Sequence, residues 1–143
     1  SIGMKNTNFK NCTGLHDPEH YSTTYDIALL LRYALNNDTF REVITSHFHS
    51  TPGTNVHPDG ITYYSTMFKN LSDPAVTGGE ILGGKTGYTS EAGHCLASFA
   101  GIDEREYILV TAGAAADATG IPHISDARTL YNRLGEAINM QGN

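Results

Sequence analysis

An α+β fold, with an antiparallel sheet flanked by helices, is what the sequence predicts. Two segments repeat apolar residues at helical spacing, one before and one after the middle of the chain. Between them, three strand-like runs are joined by tight polar turns. Parallel crossovers need a dozen or more residues, so such short connections make these runs antiparallel hairpins. The length of 143 residues is that of one domain, which gives helices, then a meander, then a terminal helix in a single layered unit.

Residues 1–21 are polar and carry turn formers at Asn11, Gly14, Asp17 and Pro18, so they read as a loop-rich lead-in. Ile27, Leu30, Leu31, Ala34 and Leu35 then form a helical stripe, with Ser22 or Thr23 as its cap and Asp26 in the first turn where the helix dipole favours a carboxylate. Asn36-Asn37 ends it. A second helix is predicted over 38–47, capped by Asn37 or Asp38, with Phe40, Val43 and Ile44 inward. Residues 49–60 hold Pro52, Gly53, Pro58 and Asp59-Gly60 and read as loop and turn. Ile61 to Ser65 is a short strand, and longer strands are predicted over 80–89, 94–101 and 106–113, the last two joined through Asp103-Glu104-Arg105. After Gly120-Ile121-Pro122, Ser125 or Asp126 caps a last helix with Ala127, Leu130, Tyr131, Leu134 and Ile138 on one face. The leucine stripe and the Tyr63-Tyr64 pair read as core and sheet packing.

Composition removes several function classes. A formal charge of −6 repels phosphate backbones, which argues against a nucleic-acid partner. Apolar residues make up 39%, enough for a core and too many for a disordered chain. No apolar run reaches the roughly 18 residues of a membrane span, and no signal peptide opens the chain. Cys12 and Cys95 are too few for a disulfide scaffold and read as unpaired thiols. His16 and His20, and His47 and His49, are metal-ligand types, but a proline interrupts the first pair and the second is spaced two apart; turn and surface positions fit them better. Cys95 would need a neighbouring base to act as a nucleophile, and His94 falls on the opposite strand face. No cofactor is implied.

The chemistry sits in Gly83-Gly84-Lys85-Thr86-Gly87-Tyr88-Thr89-Ser90. Glycine weakens a strand, so three of them in one strand point to close approach of another backbone or a ligand. Lys85 adds a fixed positive charge there, and Thr86 and Thr89 add hydroxyls. An extended peptide could pair with such an edge, its carboxylate meeting the lysine and hydroxyls. A backbone N–H of the edge could point at a developing oxyanion.

From Gly3 to Ala114 the sequence resembles the D-alanyl-D-alanine carboxypeptidases of the low-molecular-mass penicillin-binding proteins. The matching stretches are Gly3-Met4-Lys5-Asn6-Thr7-Asn8-Phe9, Asn11-Cys12-Thr13-Gly14-Leu15-His16-Asp17, and His20-Tyr21-Ser22-Thr23-Thr24-Tyr25-Asp26-Ile27-Ala28. Gly84-Lys85-Thr86-Gly87-Tyr88-Thr89-Ser90-Glu91-Ala92-Gly93 and the strand Cys95-Leu96-Ala97-Ser98 complete them. The resemblance implies the β-lactamase/penicillin-binding fold and a serine nucleophile in a Ser-x-x-Lys motif, a second motif Ser-x-Asn, and the Lys-Thr-Gly triplet. It implies a substrate too: a peptidoglycan stem peptide ending in D-Ala-D-Ala, with β-lactams acylating the same serine. Carried over, Lys85 would hold the carboxylate side and tune the second-motif serine. Thr86 and Thr89 would bond the carboxylate, Gly87 would allow close backbone passage, and the Tyr88 backbone N–H would donate into the oxyanion hole. The implied location is the outer face of the cytoplasmic membrane.

Two of the three motifs are absent. No serine begins a Ser-x-x-Lys or a Ser-x-Asn; Ser46, Ser65 and Ser90, for instance, are followed by His-Phe-His, Thr-Met-Phe and Glu-Ala-Gly. The family places both motifs upstream of the Gly3–Phe9 stretch. Residues 1–143 are therefore expected to be the C-terminal portion of a transpeptidase-like domain, inactive alone, completed by the missing N-terminal segment or by another copy of the chain. Where the family often carries an arginine near the substrate carboxylate, His123 stands before the last helix. A non-catalytic module binding cell-wall peptide or a partner chain is the alternative, and a zinc hydrolase a third class.

Overall fold

The computed structural model describes residues 2–117 and 120–141, so the outermost ends of the 1–143 span lie outside the described residues. Helix α1 (Thr24–Ala34) starts where Thr23 Oγ1 accepts from the Asp26 amide, and α2 (Asp38–Thr45) starts where Asn37 Oδ1 accepts from the Phe40 amide. Each side chain satisfies an amide that the first helical turn leaves without a partner. Strands β1 (Phe48–Ser50) and β2 (Thr62–Tyr64) pair antiparallel, with Ser50 opposite Thr62. Helix α3 (Thr66–Asn70) and the two-residue strand β3 (Ala75–Val76) lead into β4 (Gly79–Thr89), β5 (Gly93–Ile102) and β6 (Arg105–Ala114), and α4 (Pro122–Gln141) closes the described chain.

The main sheet has the order β3-β4-β5-β6, all neighbours antiparallel. Two residues, Asp103 and Glu104, join β5 to β6 with φ of 48° and 62°. Positive φ at both central positions matches the twist of the flanking strands in a two-residue hairpin. Side chains alternate to opposite faces of a strand, and β5 buries both. Leu96, Ala100 and Ile102 face a core with Ile124, Ala127 and Tyr131 of α4 and Met67 and Phe68 of α3. Phe99, fully buried, faces Leu31 and Leu35 of the α1 region. The result is three layers, with α1 and α2 on one face and α3 and α4 on the other. Ser98, also fully buried, shares a 3.1 Å hydrogen bond with the Tyr131 hydroxyl and so ties sheet to helix.

Several details differ from the sequence reading. The last helix begins at Pro122, three residues before the expected Ser125 or Asp126 cap; proline suits the first helical turn because its missing N–H needs no partner there. Ile124 supplies the core contact expected of Leu130, which is exposed. The segment read as loop over 49–60 starts inside β1, and β1 is what the short tyrosine strand pairs with. Of the three residues expected inward on α2, only Ile44 reaches a core; Val43 is 68% exposed and Phe40 is exposed too. Tyr63 and Tyr64 point to solvent, not into the sheet core. Both cysteines are free.

Candidate functional site

Strand β4 is positioned by what surrounds its glycines. A Cβ on Gly83 would lie 2.6 Å from the Ile44 carbonyl oxygen, and one on Gly84 would lie 2.7 Å from Met67 Sδ and 2.8 Å from the Ala97 carbonyl oxygen. Bare backbone at these two positions lets α2 and α3 close on the strand from opposite sides. A bulge between Ile81 and Gly83 precedes them. Strand β3 pairs with β4 only at Gly79 and Glu80, so among the described residues no strand covers the outer edge from Leu82 to Thr89. An uncovered edge of this length is a row of unpaired backbone groups able to receive another extended chain.

Two hollows flank that edge. One, of about 660 Å³, lies between α2, the β1–β2 hairpin, α3 and residues 84–86 of β4, with Phe40, Val43, Phe48 and Tyr64 on its walls. The other, of about 720 Å³, lies between the lead-in loop and β4–β6. Lys85, Thr86, Gly87 and Thr89 all line the second hollow, and Lys85 and Thr86 line both. The structure thus brings four of the expected site residues to one crest.

The exposed Lys85 ammonium donates to the Thr86 carbonyl, and among the described residues no carboxylate comes within ion-pairing distance of it. Its charge is available to an anionic partner. Thr86 lies half-buried beside it. Thr89 Oγ1 accepts from the Ala92 amide at 3.0 Å, an interaction within the β4–β5 turn, and its hydroxyl is a hydrogen-bond partner of the Glu91 carboxylate. Gly87 has open space where a Cβ would stand, so the close approaches within the fold occur at Gly83 and Gly84 instead. At the far end of the second hollow His16 Nδ1 stands 3.8 Å from Glu91. The Glu91 carboxyl is held below the usual range, first by its own backbone amide, then by the Ser90 hydroxyl, with His16 a smaller contributor.

Tyr88 and His123 line neither hollow. His123 is only 6% exposed and stacks on His94 with ring centres 5.0 Å apart and planes 7° apart. Burial lowers its imidazole pKa, His94 lowers it further, and Asp126 opposes the shift. His94 in turn lies 4.6 Å from the Tyr88 ring. The expected carboxylate contact at His123 is therefore a buried ring facing another imidazole, and His94 is a neighbour of the site that the sequence reading treated only as the residue beside Cys95. The pairing of Tyr88 with His94 across a three-residue turn is the signal that could have found it. Cys95 falls on the other strand face and lines the second hollow, away from His94.

Comparison with known proteins gives four matches. A family model described as D-alanyl-D-alanine carboxypeptidase matches residues 1–116. The D-alanyl-D-alanine carboxypeptidase DacF of Bacillus subtilis is 31% identical over 113 residues, 79% of this chain and 27% of that protein. Among solved structures, a D-alanyl-D-alanine carboxypeptidase from Mycobacterium tuberculosis superposes with a TM-score of 0.76 at 22% identity, over 92% of this chain and 47% of that one. A Streptomyces DD-transpeptidase superposes with a TM-score of 0.74 at 24% identity, over 95% of this chain and 50% of that one. The chain spans about a quarter of the curated relative and about half of the solved structures. The shared architecture is an open antiparallel sheet flanked by helices, of the penicillin-binding and β-lactamase type.

Proposed function

The chain belongs to the D-alanyl-D-alanine carboxypeptidase family, and from that membership we propose that it forms the Lys-Thr-Gly side of a serine-type carboxypeptidase that trims peptidoglycan stem peptides. The observation that carries this reading is Lys85, beside Thr86 on a strand edge where, among the described residues, no carboxylate pairs with it and no strand covers it. A stem peptide laid along β4 would pair with its backbone. Its terminal carboxylate would meet the Lys85 ammonium and the Thr86 hydroxyl, charge-assisted contacts of the stronger kind, with Thr89 further along. The open space at Gly87 leaves room for that backbone.

The Tyr88 backbone N–H would donate to the carbonyl oxygen of the bond between the two D-alanines as it becomes an oxyanion. Attack on that carbonyl requires a serine whose proton is taken by a neighbouring base. The acyl-enzyme forms as D-alanine leaves, and water then releases the shortened peptide and restores the serine. β-Lactams would acylate the same serine. The sequence contains neither Ser-x-x-Lys nor Ser-x-Asn, so the attacker and its partners would come from polypeptide outside these residues, such as a segment N-terminal to them. The setting is the cell envelope, outside the cytoplasmic membrane, where the substrate lies; among the described residues no helix is long and apolar enough to cross a membrane.

Residues 1–143 alone are expected to release no D-alanine from a D-Ala-D-Ala peptide and to take no covalent label from a fluorescent penicillin. Mixing with a segment bearing the serine motifs should restore both. Labelling of the isolated chain would show a nucleophile within it and overturn this division of labour. The absence of both serine motifs also favours a second reading, a module that binds cell-wall peptide without turning it over. Calorimetric binding of the peptide, with no turnover in any mixture, would select that reading.

A further inference from the structure

Three rings form a column behind the end of β4. Tyr88 of β4 contacts His94 of β5 at 4.6 Å with planes 37° apart, and His94 stacks on His123 of α4 at 5.0 Å and 7°. Tyr88 and His94 are also partners in the β4–β5 ladder, so the backbone register itself sets the first contact. His123, almost wholly buried, leaves its Nδ1 without a hydrogen-bond partner. We propose that His94 is a positioning residue: it braces Tyr88, and with it the Tyr88 backbone N–H, and the column holds that place only while the two imidazoles share no more than one proton. The link to catalysis rests on the role given above to the Tyr88 N–H; the column does not depend on it.

The chemistry follows from the surroundings. A proton added to His123 would turn an unpartnered acceptor into an unpartnered buried donor. A second proton would place two like charges face to face at stacking distance. Among the described residues, the groups facing the pair are few. Strand β4 contributes the phenol of Tyr88, β5 contributes His94 itself, and β6 sets Ala114 opposite His94. Among the described residues, Asp126, on the same helix as His123, is the group that favours charge there. Repulsion between the rings cannot push α4 aside easily, because Tyr131 and Ala127 lock it into the core. The movement should therefore go toward Tyr88, a residue 63% exposed and so able to yield.

Nuclear magnetic resonance on the 143-residue chain tests this, following the imidazole carbons and the Tyr88 amide between about pH 5 and 7, where histidine changes charge. The expected result is two separated histidine steps, with the Tyr88 amide shift tracking the second, acidic one. His94→Phe keeps a ring in the column but removes the proton, and should leave the Tyr88 amide unchanged over that range. His94→Tyr does the same should the first variant fold poorly, and His123→Phe should collapse the behaviour to a single step that Tyr88 does not follow. A Tyr88 amide that is flat in the unmodified chain, or that keeps its midpoint in both single-histidine variants, overturns the proposal. Adding an acyl-D-Ala-D-Ala peptide at about pH 7.5 tests the functional reading by itself, because loss of peptide binding leaves the histidine coupling to be seen or not seen.

Discussion

At the scale of single residues, Asp26 shows how a local role and a long-range one can coincide. The sequence suggests a first-turn carboxylate favoured by the helix dipole, which is true of its place in α1. The structure adds that Asp26 is 1% exposed and accepts from the Asn6 amide at 2.8 Å and from the Thr7 hydroxyl at 2.7 Å. Its contacts reach twenty residues back, a separation that no periodicity reports. The Thr7 hydroxyl is the main cause of a carboxyl held below its ordinary range, with the Asn6 and Lys5 amides adding to it. Removing that hydroxyl leaves a buried carboxylate short of a donor, which is the costly way to lose a hydrogen bond. Thr7→Val should therefore loosen the lead-in, seen as faster hydrogen exchange at Asn6 and Asn8, whose amide pairs with the Tyr21 carbonyl. Unchanged exchange at both amides would mean that the bridge between Asn8 and Tyr21 holds the loop without Asp26.

At the scale of elements, legibility follows from what fixes each one. The three long strands end within a residue of their predicted limits because alternation and tight turns are properties of the strand and its own hairpin. Strands β1 and β3 and helix α3 escape notice because two to five residues carry too little pattern; they exist through the neighbours they meet. The buried faces of α2 and α4 are misread at Val43 and Leu130 because periodicity gives the spacing of a stripe but not which partner will cover it. The same limit applies to the site: the glycine-lysine-threonine run is visible in the sequence, whereas the stacking of His123 on His94 requires α4 to be docked.

Helix α4 docks where Asn132 Oδ1 accepts from the Thr77 amide at 2.8 Å and Gly135 passes beneath the same residue. A Cβ at Gly135 would come within 1.9 Å of the Thr77 carbonyl oxygen. Backbone cannot swing aside, so the helix must lift. Overpacking of this kind costs about 1–3 kcal/mol, against a helix-propensity gain of about 1 kcal/mol for alanine over glycine. Gly135→Ala should thus lower the thermal midpoint, with Asn132→Ala in the same direction. A variant as stable as the parent would show that the helix and the β3–β4 turn are not in close register.

At the scale of the whole molecule, acid should act in two stages that belong to different layers of the fold. The buried His123 titrates below the ordinary histidine value of 6.5, so on acidification the unfolded chain takes up that proton before the folded one. Its contribution is complete above 6.5, shrinks as pH falls through that value, and levels off below the folded pKa. The α4 side of the sheet should weaken first. Asp26 and Glu106 are lowered carboxylates on the opposite side, Glu106 chiefly through the Arg41 guanidinium that donates to both its oxygens at 2.6 and 2.9 Å. For these two the sign places the stabilisation above the ordinary carboxylate range, with loss as pH drops through the folded values. The Arg41–Glu106 pair is partly exposed, so its share is about 1 kcal/mol or less, yet it is a tie from α2 to the far strand β6. Denaturant midpoints measured from about pH 8 to 3 should fall once as pH drops below the ordinary histidine value and again through the carboxylate range, and His123→Phe should remove the first step while leaving the second. A single step through the carboxylate range in the parent chain would place His123 in water-like surroundings, against the burial that the layered architecture gives it.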